Sequence, residues 1–173
     1  MNISACSQTD CRGFVNQGVD SLTKYQLHPV KKQSTLIAAL DLYNRALLCD
    51  SSLKAAWHNK IPVLVMLERH EEAIRTIDGF LKRGADSTIL IGKGNELEKI
   101  NKRDEALKVY SKVYSYSLRK YRAAPTNSTA IYFMLLSKSK VYGESSVQAE
   151  AKEFLEKYSG DDKLKALLST LQK

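Results

Sequence analysis

Three segments of this chain align on one frame: Ala39-Leu-Asp-Leu-Tyr43-Asn-Arg-Ala46-Leu47, Ala73-Ile-Arg-Thr-Ile77-Asp-Gly-Phe80-Leu81 and Ala106-Leu-Lys-Val-Tyr110-Ser-Lys-Val113. Their leading alanines are 34 and 33 residues apart, and a large apolar residue, Trp57 or Leu90, stands sixteen residues before the second and third. Self-similarity at such a period means that one supersecondary unit is repeated and stacked. A small residue at Ala39, Ala73 and Ala106 lets two antiparallel helices approach closely, while Trp57, Leu90, Tyr43 and Tyr110 fill the space beside them. One alanine followed four residues later by a tyrosine says nothing. Three in phase exclude most other folds.

The frame resembles that of tetratricopeptide repeats. Trp57-His58-Asn59-Lys60 followed by Glu71-Glu72-Ala73-Ile74 looks like the heart of one repeat. Gly94 with Leu97, then Asp104-Glu105-Ala106-Leu107 and Tyr110, looks like the next. The resemblance is strong over Leu36–Val113 and weaker outside it. It implies an all-α chain: a right-handed α-solenoid of antiparallel helix pairs, with three to four repeats over 9–51, 52–86, 87–123 and 127–158. A C-terminal capping helix over 161–172 would complete this single domain. Three departures stand out. Ser51 and Ala85 occupy the places of the closing proline, Pro62 lies inside a helix it should bend, and Gln26–Ser34 is an insertion within the first repeat.

Periodicity and punctuation predict the individual helices. The first runs over Thr9–Tyr25 with Phe14, Val15, Val19 and Leu22 as its apolar stripe, and the second starts at Ser34 or Thr35 and ends near Cys49. A third starts at Ser52, and the turn Glu68-Arg69-His70 leads to a fourth that stops before Gly84. The fifth spans Ser87–Ile100 and the sixth Arg103–Arg122. Asn127 caps a seventh ending at Tyr142, Ser145 or Ser146 starts an eighth, and Asp162–Leu171 is the last.

Length and composition fit this reading. The 173 residues are 43% hydrophobic, enough for a core, and the richest apolar run, Ile61–Leu67, is a fraction of the roughly 20 residues a membrane-spanning helix needs. No catalytic or metal motif is present. The Gly84 to Gly92-Lys93 spacing is too long for a phosphate-binding loop, and His70-Glu71-Glu72 lacks a second histidine. No Gly-x-Ser-x-Gly occurs. A non-catalytic chain without cofactor or metal is expected.

In tetratricopeptide repeats the first helix of each pair lines a concave groove. Carried over, the resemblance implies a lining of Val15, Val19 and Leu22, then His58, Asn59 and Val65, then Ile91, Asn95 and Glu98, then Tyr132 and Leu136. This mixture of apolar and neutral polar residues suits a peptide or amphipathic helix of a partner protein. It does not suit a carboxylate clamp, because Val15 and Val19 stand where lysine and asparagine are wanted.

The net charge of +8 is concentrated in one stretch. Ala106–Gly143 holds seven basic residues, Lys108, Lys112, Arg119, Lys120, Arg122, Lys138 and Lys140, and no acid, so the rest of the chain carries about one net charge. Tyr110, Tyr114, Tyr116, Tyr121, Tyr132, Phe133 and Tyr142 lie in the same stretch. Arg119, Lys120, Arg122, Lys138 and Lys140 are candidates for a basic patch that meets an acidic protein or, with Tyr116 and Tyr121 stacking bases, nucleic acid.

Cys6, Cys11 and Cys49 are too few for a disulfide framework, which favours idle thiols in a reducing cytoplasm. Ile3-Ser4-Ala5-Cys6 resembles a lipoprotein cleavage site, but only five residues precede Cys6 and none is basic, so export is not expected of the chain as written. The implied repeat geometry lays the start of the first helix beside the end of the second, where Cys11 and Cys49 could meet, and a bond there would speak for a periplasmic lipoprotein adaptor whose true start lies upstream. Three functions therefore compete: a protein-binding module (adaptor, chaperone or immunity-type binder), a nucleic-acid binder using the basic stretch, and that periplasmic adaptor.

Overall fold

The computed structural model describes residues 8–28, 30, 32–84 and 86–171. The Ile3–Cys6 motif, Asn2 and Ala85 lie outside them. Among the described residues there are helices and no strand. The chain divides into two units, Met1–Ala85 and Asp86–Lys173, parting where the second repeat was predicted to end.

The first unit holds α1 (Gln8–Leu27), α2 (Gln33–Cys49), α3 (Lys54–Met66) and α4 (His70–Leu81). Short connections make consecutive helices neighbours, and each packs on the next. Ala39, Tyr43, Ala46, Ala56, Leu64 and Ala73 form the core with Leu36, Leu40 and Val63. The second unit holds α5 (Ser87–Lys99), α6 (Arg103–Ala123), α7 (Ser128–Tyr142), α8 (Ser145–Lys157) and α9 (Asp162–Leu168), closed by a 3₁₀ turn at Ser169–Leu171. Here Ala106, Tyr110 and Val113 are fully buried on α6, and Leu164 and Leu168 of α9 pack with Ile131, Leu135 and Phe154.

All three framing alanines have 0% exposed surface, which is why no larger residue fits there. A second small residue completes each hairpin. A Cβ on Gly18 would lie 2.5 Å from the Tyr43 ring, one on Gly79 would lie 2.6 Å from Trp57, and one on Gly94 would run into Tyr110. Gly94 precedes Tyr110 by sixteen residues, and Gly18 precedes Tyr43 by sixteen once the nine-residue insertion is removed. The insertion thus lengthens α1 and its connection and leaves the packing register of α1 and α2 intact.

The turns repeat as well. Glu68 and Asn101 take left-handed φ of 56° and 61°, and each is followed by a backbone bond closing the helix end, Arg69 N–H to Leu64 O and Lys102 N–H to Leu97 O, both 2.9 Å. The following helices open with Glu71-Glu72 and Asp104-Glu105, placing carboxylates at the positive end of the helix dipole. Where the closing proline is missing, the Ser51 carbonyl instead accepts from Trp57 Nε1 at 2.9 Å and from Arg83 at 2.7 Å. The Arg83 guanidinium also lies 4.6 Å over the Trp57 ring. Pro62 stays within α3, and its missing N–H leaves the His58 carbonyl without a helical donor.

The expectation of idle thiols is overturned. Cys11 and Cys49 form a disulfide with Cα atoms 5.5 Å apart. The cause is the antiparallel hairpin, which sets the first turn of α1 against the last residue of α2.

Candidate functional site

In the first unit the predicted lining separates into two kinds of residue. Val15 is only 7% exposed and belongs to the core, while Leu22 and Val65 pack against that core. Val15 is therefore corrected from groove to interior: it shares the face of α1 that meets α2, as Gly18 does. Val19 remains 40% exposed on α1. On α3 His58 is exposed, its ring tilted against Phe80 at 6.3 Å, and Asn59 is half-buried.

The second unit offers a more developed surface, built by α5, α7 and the start of α6. Ile91 is 8% exposed and is likewise corrected to the core. Tyr110 donates its hydroxyl to Asn95 Oδ1 at 2.8 Å, so Asn95 is held by the hairpin beneath it. Burial, and then the nearby Glu98 carboxylate, push the Tyr110 hydroxyl well above its usual range, keeping it a donor. Glu98 pairs with Lys140 at 3.4 Å, and the Lys140 ammonium lies 5.7 Å from the centre of the Tyr110 ring. Tyr132 packs on the core, its ring edge-on to Phe133 at 5.2 Å. Beyond these, Arg103, Leu136, Ser139, Lys140, Tyr142 and Leu171 line an open cleft of about 530 Å³. Its lining mixes apolar side chains with polar ones, and Arg103, Lys140 and Glu144 bring charge to it. Arg103 was read from the sequence only as a helix start, and the 65% exposed Tyr142 only as a helix end and one aromatic of the basic stretch. Only the reversal of chain direction between α6 and α7 brings them together.

The five candidate basic residues do not form one patch. Arg119, Lys120 and Arg122 end α6, whereas Lys138 and Lys140 lie near the end of α7. Since Arg103, at the start of α6, shares the cleft with Lys140, the two groups are separated by about sixteen residues of helix, or about 24 Å. The second group is also paired. Lys138 binds Glu150 at 2.6 Å, a bond that raises its pKa. The tyrosines are engaged too: Lys120 lies 4.7 Å over Tyr116, Tyr121 meets Phe154 edge-on at 5.5 Å, and Tyr114 meets Tyr142 at 6.5 Å. Among the described residues no three His, Cys, Asp or Glu gather as a metal site would require.

These hairpins, with a small residue under a large ring in each, define an all-α helical-repeat chain with the tetratricopeptide-repeat fold. The crystal structure of YrrB, a TPR protein with an unusual peptide-binding site, matches with a TM-score of 0.56 over 97% of this chain and 83% of that one, at 17% sequence identity. No family model and no curated protein matches the sequence.

Proposed function

We propose that this chain is a non-catalytic protein-interaction module that holds a peptide or helix of a partner. The observation that carries this reading is the fold, which carries a peptide-binding site in YrrB, and on it an open cleft of mixed apolar and charged lining near the end of α7, on the unit where Tyr110 fixes Asn95. A concavity that sets apolar side chains among hydrogen-bonding and charged groups can take both the side chains and the backbone of a peptide. Adaptor, chaperone and immunity-type binder are finer versions of the same role. The test is affinity capture from native lysate, read by mass spectrometry, with wild type, His58→Glu and Tyr142→Ala. Both positions are exposed, so the variants should keep wild-type helicity. Loss of one set of captured proteins by either variant supports the reading, and unchanged capture by both rejects it.

A second reading concerns where the module works, and the Cys11–Cys49 bond favours it. Disulfides persist in oxidising compartments, which agrees with a periplasmic adaptor better than with a cytoplasmic one. Thiols are alkylated before cell lysis and the chain is weighed intact. An unmodified Cys11–Cys49 pair is expected, and alkylation at both would remove this reading.

A further inference from the structure

The longest helix of the second unit carries a charge pattern that the groove does not use. On α6, Lys108, Lys112, Arg119 and Arg122 are all exposed. At about 100° per residue they fall within an arc of about 80°, directly opposite the buried Ala106, Tyr110, Val113 and Ser117. With Ser115 their spacing runs four, three, four, three, which extends the row over about 21 Å of helix. Among the described residues none of the four has a carboxylate partner. Helix-dipole compensation accounts for cations in the last turn, but Lys108 and Lys112 lie more than two turns from that end, where it gives them no support. The like-charged pairs Lys108–Lys112 and Arg119–Arg122 also oppose helix formation. A shallow trough of about 500 Å³, lined by Leu107, Lys108, Ser111, Lys112, Ser115 and Arg119, runs along this face.

We infer that this face of α6 is a second docking surface, one that receives an acidic amphipathic helix of a partner protein lying along it. The alternating three- and four-residue spacing keeps the row on one face of the helix, so that a second helix lying along it can meet every position. Carboxylates at the same spacing on the partner would meet four cations and the Ser115 hydroxyl, and the small Ser111 and Ser115 leave room for close approach. A single-stranded nucleic acid is less well served, because base stacking needs free rings and Tyr114, Tyr116 and Tyr121 are already engaged.

The experiment uses the full chain and three fluorescent probes, read by anisotropy at low and high salt. One is a synthetic alanine-rich helix with glutamates spaced four, three, four, three. The second is the same composition permuted so that its glutamates surround the helix, and the third is a short single-stranded DNA. The spaced peptide is expected to bind about tenfold tighter than the permuted one at low salt, as several weak exposed ion pairs acting together allow. The fourfold variant Lys108→Gln, Lys112→Gln, Arg119→Gln, Arg122→Gln should lose that preference with its helicity unchanged. His58→Glu should retain it, which separates this surface from the groove. Equal affinity for the two peptides, tighter binding of the single-stranded DNA, or a preference that survives the fourfold change would each overturn the inference.

Discussion

Gly92 and Gly94 lie two residues apart on α5 and meet opposite surroundings. A Cβ on Gly92 has nothing within 4 Å, whereas one on Gly94 collides with the Tyr110 ring. Alanine is the better helix former by up to about 1 kcal/mol, so Gly92→Ala should stabilise the chain by about 0.5–1 kcal/mol. At Gly94 the same gain is outweighed by an overpacking cost of about 1–3 kcal/mol, because Tyr110 is fully buried and bound to Asn95. Urea unfolding midpoints should move in opposite directions for the two variants; a shift of the same sign would show that the ring yields. Tyr43 holds the matching place in the first unit, yet its buried hydroxyl has no partner among the described residues, and burial pushes its pKa up to about 12. The framing alanines and their aromatic neighbours could be read from the chain because their period survives any surface change. Gly18 could not, since the insertion displaces it from Tyr43. The burial of Val15 and Ile91 was hidden for another reason: an apolar residue at the edge of a helix stripe looks the same whether it faces its own hairpin or a ligand.

Helix ends were readable wherever a side chain closes them. Asn127 accepts from Ala130 N–H at 2.9 Å and Asp161 from Leu164 N–H at 2.9 Å. Asp161 serves two elements, because its second carboxylate oxygen accepts the hydroxyl of Ser128 at the start of α7. The Ser128 bond, and then the α9 amide, hold its pKa below the ordinary 3.8. A depressed carboxylate stabilises the fold above its ordinary pKa, and that contribution disappears as the pH falls through 3.8 toward the folded value. Asp161→Asn keeps a capping side chain but has no charge to lose. Wild type should therefore melt higher at neutral pH, and the gap in Tm between the two should narrow in acid. Parallel curves of Tm against pH would rule this out. Charge placement between elements was far less readable. A window of sequence joins Lys138 and Lys140 to Arg119, but the hairpin reverses direction and sends them to opposite ends. Lys108 and Lys112, in contrast, join Arg119 and Arg122 only when the helix is drawn in three dimensions.

Across the whole molecule, the repeat period was written in the chain, but the division into two units was not, because the frame passes through residues 85 and 86 without interruption. The disulfide depended on both levels. Three cysteines allow several pairings, and only the register of α1 against α2, preserved across the insertion, decides for Cys11 and Cys49. Their bond spans 38 residues and restricts the unfolded chain by about 4 kcal/mol in the loop-entropy account. Its span includes the entire connection after Leu27, where Leu27 and Val30 stand exposed. A protease that cuts there divides the backbone but not the molecule. The severed α1 stays tethered to α2 through sulfur, and the two pieces part on a gel only after a reductant is added.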